Sequence, residues 1–223
     1  MKSGIFITGT DTGVGKTFIA AGIASAVQRQ SVDLGVMKPV ESGCPVRRGV
    51  LVPNDALALM RAAKVTDDLD LVNPYCFRAP LAPSVAAAQE GTAIKLRKIT
   101  SAFTKLKRKH SFMIVEGAGG ILVPITDKRS FLDLAALFGL PVLIVARPGL
   151  GTINHTLLTV MALRQRKLPI AGIVINYSRD LCTGDAERTN PAVIEHRSGV
   201  SVIGIVRYGQ RDLSGLARKL TGH

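Results

Sequence analysis

The chain of 223 residues contains no tryptophan, seven phenylalanines and three tyrosines. These few aromatics do not interleave with its basic segments, which argues against a stacking platform for nucleic acid. Its three cysteines, Cys44, Cys76 and Cys182, are odd in number, far apart and without a CxxC pair. That spacing argues against a disulfide framework or a zinc site and points to a reducing cytoplasm. No apolar run approaches the roughly 20 residues that a membrane span needs. The N-terminus leads directly into an apolar segment, so no signal peptide is expected. Acidic residues are also scarce. Sixteen Asp and Glu stand against 29 Lys and Arg, a net charge of 29 − 16 = +13. The basic residues gather at Lys105-Leu106-Lys107-Arg108-Lys109-His110 and Arg164-Gln165-Arg166-Lys167. Both clusters fall at the ends of expected helices, where cations suit the dipole. They read as a solvated basic surface, or as an attraction for anionic ligands. No nucleic-acid or membrane partner is expected.

What the chain does have is alternation. Near-continuous Val/Ile/Leu runs at 4–8, 34–38, 111–116, 141–146, 170–176 and 201–206 read as strands buried on both faces. Helix-periodic segments lie between and after them, near 16–29, 54–64, 95–109, 130–138, 152–167, 189–198 and 212–220. With no repeat and no low-complexity linker, the expectation is one α/β domain over 1–223. Its fold class is a doubly wound, mainly parallel sheet with helices on both faces. Ligands of such sheets bind beyond the carboxyl ends of the strands.

The first strand end carries the most chemistry. Gly9-Thr10-Asp11-Thr12-Gly13-Val14-Gly15-Lys16-Thr17 joins an apolar strand to the helix that begins around Phe18. Strand, glycine loop, Lys-Thr and helix make a phosphate cradle of the P-loop NTPase type. Five residues separate Gly9 and Gly15, where the usual pattern has four. Lys16 would reach the β- and γ-phosphates, and the Thr17 hydroxyl would ligate Mg²⁺.

Other strand ends carry polar residues too. Lys38 closes the second strand and either faces an anion or snorkels to solvent. Asn54 is a plausible N-cap for the next helix, and Asp55 by itself reads best as a complement to that helix dipole. Glu116 ends an apolar strand before Gly117-Ala118-Gly119-Gly120, and is either a carboxylate placed to help hold Mg²⁺ beside a glycine-rich turn or a solvent-facing turn glutamate. Gly149-Leu150-Gly151-Thr152-Ile153-Asn154-His155 is either a second anion-receiving helix N-terminus or an ordinary turn. Asn176 could read a nucleobase, although asparagine is common at turns.

Together, Gly9 to Thr17, Lys38-Pro39-Val40-x-Ser42-Gly43, Asn54-Asp55-Ala56, Asn73-Pro74-Tyr75, Gln89-Glu90-Gly91, Val115 to Gly120 and Gly151-x-Ile153-Asn154-His155 resemble the dethiobiotin synthetase family. The resemblance runs from about residue 3 to about 177. It implies an ATP- and Mg²⁺-dependent ligase of biotin biosynthesis. Such an enzyme converts 7,8-diaminopelargonic acid and CO₂ to dethiobiotin through a carbamate and a carbamic–phosphoric anhydride. It further implies Lys16 and Lys38 as catalytic cations, and Thr17, Asp55 and Glu116 as metal ligands. Gly13, Val14, Gly15, Phe18 and Asn176 would join them around the nucleotide. Thr12, Ser42, Gly117, Ala118 and Gly119 would contact the diamine or carbamate. In the family's homodimer, Leu150, Gly151 and Asn154 complete the neighbouring subunit's site.

The chain departs from the family's pattern in three places. Gly13 stands where some relatives carry an acid, Tyr177 replaces the commoner Asp, and 204–209 lacks the usual proline. The alternative is a partition- or septum-type P-loop switch ATPase that binds DNA or membrane. Such proteins usually carry an early loop lysine where Thr10 or Asp11 stands here, and they lack the Lys38-Pro39 motif. A glutamine-dependent relative of the same core would need an added glutaminase domain, for which the chain has no room.

Overall fold

The computed structural model describes residues 4–180 and 184–222. In chain order its elements begin with β1 (Gly4–Gly9), α1 (Lys16–Arg29), β2 (Leu34–Met37), β3 (Val40–Ser42), β4 (Val46–Arg47), β5 (Val50–Leu51) and α2 (Asn54–Ala63). There follow α3 (Leu69–Val72), β6 (Tyr75–Phe77), α4 (Pro83–Gln89), α5 (Leu96–Lys109), β7 (Phe112–Gly120), β8 (Pro124–Thr126) and β9 (Arg129–Ser130). The last are α6 (Phe131–Phe138), β10 (Val142–Ala146), α7 (Thr152–Gln165), β11 (Ile170–Asn176), α8 (Asp185–Ser198), β12 (Val202–Val206) and α9 (Ser214–Thr221).

The six apolar runs become one parallel sheet in the order β12-β11-β10-β1-β7-β2. Side chains of β1 alternate between its two faces, as the period of a strand requires. Ile5 and Ile7 join Ile19, Ile23, Leu59 and Leu216 in the core beneath α1, α2 and α9. Phe6 joins the opposite core, with Phe103, Phe131, Phe138, Val160 and Ile194 of α5, α6, α7 and α8. There the Phe103 and Phe138 rings stack at 4.0 Å.

The connection leaving β1 runs one way along the sheet, to β2, whereas the connection leaving its neighbour β7 runs the other way, past β1 to β10. A crevice therefore opens at the carboxyl ends of β1 and β7, where an open α/β sheet receives its ligand. Register sets its walls, because Ile7 pairs with Glu116 and Met37 pairs with Val115.

Several boundaries differ from the sequence expectation. Strand β7 runs on to Gly120, so the glycine stretch expected as a turn after Glu116 is still paired, with Gly120 against Gly9. Helix α8 starts at Asp185 rather than near 189, with Asp185 and Glu187 in its first turn and Glu187 accepting the Gly184 N–H at 2.9 Å. Helix α9 spans Ser214–Thr221, two residues later than expected at its start. The helices α3 and α4 and the short pairs β3–β6, β4–β5 and β8–β9 were not foreseen. Strands of two or three residues are too short to show a period. Both basic clusters do end helices, at the C-termini of α5 and α7. Cys44 and Cys76 are free thiols, while Cys182 lies outside the described residues.

Candidate active site

The loop after β1 is shaped by one glycine above all. Gly15 has φ +88°, and a Cβ there would sit 2.1 Å from Nδ2 of Asn176. Any other residue would be strained and would also collide. Asn176, buried at the end of β11, donates from that nitrogen to the Val14 carbonyl at 2.8 Å. Its Oδ1 is buried with no partner. The loop is thus braced from behind. Helix α1 then starts with no side-chain cap and no acid in its first turn. Its first N–H groups and the positive end of its dipole are left for an anion.

Lys16, the first residue of α1, is buried and donates to the Asp11 carbonyl at 3.3 Å. Burial, reinforced by the charge of Lys38, lowers its pKa from 10.5 to about 8. An arriving polyphosphate would favour the charged ammonium again.

Lys38 follows β2 and faces anions rather than solvent. It is 3 % exposed, and its Nζ lies 2.5 Å from Glu116 Oε1, 3.0 Å from Asp55 Oδ2 and 3.3 Å from the Gly117 carbonyl. Burial disfavours its charge, but Glu116 and Asp55 outweigh that and hold its pKa up at about 12. Asn73 donates to the Lys38 carbonyl at 2.6 Å and fixes the backbone beneath it. Thr17 donates its hydroxyl to the same Glu116 oxygen at 2.8 Å. Glu116 is fully buried, and its other oxygen, Oε2, has no partner.

Asp55 enters from α2, and here the expected cap is corrected. Asn54 is the first helical residue, and Pro53 occupies the cap position without a side-chain bond. The acceptor comes instead from β3. Glu41 takes the Asp55 N–H on Oε1 at 2.9 Å and the Ala56 N–H on Oε2 at 3.0 Å. Burial raises the Glu41 pKa, and these two bonds oppose the rise.

These groups surround a cavity of about 500 Å³. Thr12, Gly13, Gly15, Lys16 and Thr17 line one side. Lys38, Ser42, Asp55 and Glu116 form the other, with Ala118 and Gly119 beside them. Pro80 to Pro83 and Val123 add an apolar rim that the sequence reading missed. Glu41 also lines the cavity and was missed, since it occupies the unspecified position of the Lys-Pro-Val-x-Ser motif.

The remaining expected residues lie elsewhere. Val14 is buried behind the loop, and Phe18 is 45 % exposed on α1. A Cβ on Gly117 would meet Phe6 and Phe131 at 3.4 Å, so Gly117 backs onto the core. Leu150, Gly151 and Asn154 do not line the cavity. They lie at and just before the start of α7, another helix with a left-handed glycine cap (Gly151, φ +85°), no side-chain cap and no first-turn acid. Leu150 is 86 % exposed there, and Leu158 and Met161 are exposed on the same helix. The same region holds Arg147, also missed, between Asp11 at 3.7 Å and His155 at 3.4 Å.

The donor set suits a hard cation. Thr17, Asp55 and Glu116 offer oxygen only, and the unpartnered Glu116 Oε2 is a ready ligand. No group of three or more His, Cys, Asp or Glu among the described residues forms a complete metal cage. Mg²⁺ needs none, since it keeps waters and takes phosphate oxygens alongside one or two carboxylates.

A family model described as "AAA domain" matches residues 3–213. The chain is 41 % identical over 215 residues to the ATP-dependent dethiobiotin synthetase BioD of Thermodesulfovibrio yellowstonii, covering 93 % of this chain and 90 % of the relative. The protein of that name from Methanocaldococcus jannaschii is 40 % identical, covering 91 % and 93 %. The chain belongs to the dethiobiotin synthetase family. The Anaeromyxobacter dehalogenans (strain 2CP-C) dethiobiotin synthetase is 49 % identical over 173 residues, covering 78 % and 76 %. Membership makes the chain an ATP-dependent enzyme, a ligase that forms C–N bonds. A ParA family ATPase from Chlorobium tepidum superposes with a TM-score of 0.55 at 13 % identity, covering 100 % of this chain and 94 % of that one. That likeness concerns the doubly wound fold alone.

Proposed function

We propose that this dethiobiotin synthetase family member joins CO₂ to 7,8-diaminopelargonic acid at the expense of ATP, giving dethiobiotin, ADP and phosphate. The observation that carries the reading is the pairing of Lys16 and Lys38 across one cavity, with Glu116, Asp55 and Thr17 converging between them. Phosphoryl transfer between two anions, a carbamate and a γ-phosphate, needs such fixed positive charge and positioning more than covalent help.

One amine of the substrate adds to CO₂ and loses a proton to become a carbamate. A carbamate oxygen takes the γ-phosphoryl group and ADP leaves. The second amine attacks the activated carbonyl carbon, phosphate departs, and the ureido ring closes with loss of a proton. The loop amides of Gly13, Val14, Gly15 and Lys16 bind the phosphates, and the Lys16 ammonium neutralises the β/γ oxygens. Lys38 faces the transferring group from the substrate side. Thr12, Ser42 and the backbone of Gly117, Ala118 and Gly119 hold the diamine or carbamate. Thr17, Asp55 and Glu116 would hold Mg²⁺, which supplies charge neutralisation of the phosphate oxygens. Phe18 flanks the nucleotide from α1. Asn176 offers its unpartnered Oδ1 to the nucleobase amine.

The enzyme works in the cytoplasm as a single domain over 1–223 and as a homodimer. Exposed Leu150 just before α7, with Leu158 and Met161 on it, suits burial against a second copy. That contact would carry Leu150, Gly151 and Asn154, with the open N-terminus of α7, to the substrate carboxylate in the partner's site.

The test is phosphate release from MgATP in bicarbonate buffer, with and without the diamine, while dethiobiotin is followed by mass. Release that depends on the diamine and matches dethiobiotin one to one is expected. Release indifferent to the diamine overturns the reading, and stimulation by DNA or anionic vesicles would then favour a switch ATPase.

A further inference from the structure

Helix α2 needs an acceptor for its first N–H groups, and the residues just before it supply none. Pro53 has no side-chain oxygen, and Asn54 makes no cap bond. The Ala56 N–H is buried and therefore cannot rely on water. Glu41 meets this need from another element. It is 5 % exposed, it stands on β3 beside Ser42, and its two oxygens bind the two consecutive N–H groups separately. The second of the residues so held is Ala56, and the first is Asp55, whose carboxylate reaches Lys38 at 3.0 Å.

We infer that Glu41 is a positioning residue for the reaction, acting through Asp55. One carboxylate ties the strand that presents Ser42 to the helix that presents Asp55, so the substrate side and the metal side of the cavity keep a fixed separation. The charge of Glu41 also suits the positive end of the α2 dipole. A glutamine can accept one of the two N–H groups but turns its own amide donor toward the other, so Glu41→Gln is only a partial replacement. The inference rests on the proposed ligase reading for its kinetic consequences, but not for its structural ones.

The experiment compares wild type, Glu41→Gln, Glu41→Ala, Asp55→Asn and the Glu41→Ala/Asp55→Asn double variant. Three measurements are made: amide exchange at residues 55–57 in the ligand-free protein, ADP binding by calorimetry with Mg²⁺ or with EDTA, and steady-state turnover. In Glu41→Ala, exchange at Asp55 and Ala56 should rise at least about tenfold, the scale of a lost cap. The gain in ADP affinity that Mg²⁺ confers should fall about tenfold, with EDTA-treated binding unchanged. Glu41→Gln should fall between, and kcat should drop more than the KM for the diamine rises. In the Asp55→Asn background, Glu41→Ala should change the gain in affinity that Mg²⁺ confers by less than about twofold, because residues acting as a unit are not additive. Full additivity, or a variant with only a lower Tm and normal Mg²⁺-dependent binding, overturns the inference alone. A wild type that shows Mg²⁺-dependent ADP binding but no diamine turnover overturns the substrate reading and leaves the inference standing on its binding and exchange results. A wild type with no such binding overturns both.

Discussion

Lys38→Met removes a buried charge while keeping most of the side-chain volume, and its consequence follows from the geometry around Glu116. In the wild type Glu116 is wholly buried and shares Oε1 between the Lys38 ammonium at 2.5 Å and the Thr17 hydroxyl at 2.8 Å. Removing one partner of a buried pair costs about 3–5 kcal/mol, because the other charge is left uncompensated. The Thr17 hydroxyl remains, and Lys16 lies close enough for its charge to interact with that of Glu116. Both place the loss near the lower end, about 3 kcal/mol. For a chain of this length each kcal/mol moves the midpoint by about 2–4 °C, so Tm should fall by about 6–12 °C. Calorimetry at pH 7 without nucleotide or divalent cation reads this directly. Salt at about 1 M should leave the fall intact, since buried pairs are little screened. The surface pair Arg29–Asp212, whose side chains are 52 % and 78 % exposed, is the control. Arg29→Met should lower Tm far less than Lys38→Met does. The double variant Lys38→Met/Glu116→Leu should recover most of the loss, because neither charge is then buried alone. A Lys38→Met protein whose Tm stays within about 1 °C of wild type would refute the buried pair. In turnover the variant should lose at least about 10²-fold in kcat, the scale of one electrostatic contact to the transition state. A change confined to the KM of the diamine would instead make Lys38 a uniform binder.

Lys16→Ala should abolish turnover and weaken MgATP binding in a direct titration, and near-normal turnover would remove the P-loop assignment. Asn154→Ala should raise the KM of the diamine about tenfold or more while ATP affinity stays intact, as expected for one lost polar contact to a charged group. Equal loss of both would make the start of α7 a structural support. His110 supplies a pH dependence far from the cavity, with Nδ1 at 2.8 Å from Asp33, Nε2 at 2.8 Å from Asp67, and Lys109 also on Asp67 at 3.2 Å. Burial disfavours the charged ring, but the two carboxylates outweigh it and raise the pKa above 6.5. The stabilisation is therefore complete below the unfolded pKa and is lost as pH rises through the folded one. Denaturant titrations from pH 5 to 9 should show that decline in wild type and a flatter profile in His110→Gln, and matching slopes would reject the protonated bridge.

Parts of the site built from a single strand-to-helix turn were legible in the chain itself. The loop from Gly9 to Thr17, Lys38 after β2 and Glu116 near the end of an apolar run each declare themselves by local order, since a parallel sheet brings its strand ends together whatever lies between. Asp55 was harder, because an acid early in a helix has an ordinary reading. Only its 3.0 Å approach to Lys38 separates the two meanings. Glu41 was not legible at all. Rules for helix caps look to the residues just before the helix, and those point to Asn54. The acceptor that is used lies 14 residues upstream of Asp55, beyond the β4–β5 hairpin, on a three-residue strand whose pairing with β6 no periodicity announces. Asn176 was legible by residue type, but its second duty was not. Its residue type suggested a ligand, yet its nitrogen is committed to the Val14 carbonyl and only Oδ1 remains uncommitted. The phosphate loop is therefore held from β11 as well as from its own glycines, and substitutions at Asn176 should disturb phosphate binding before they disturb choice of base.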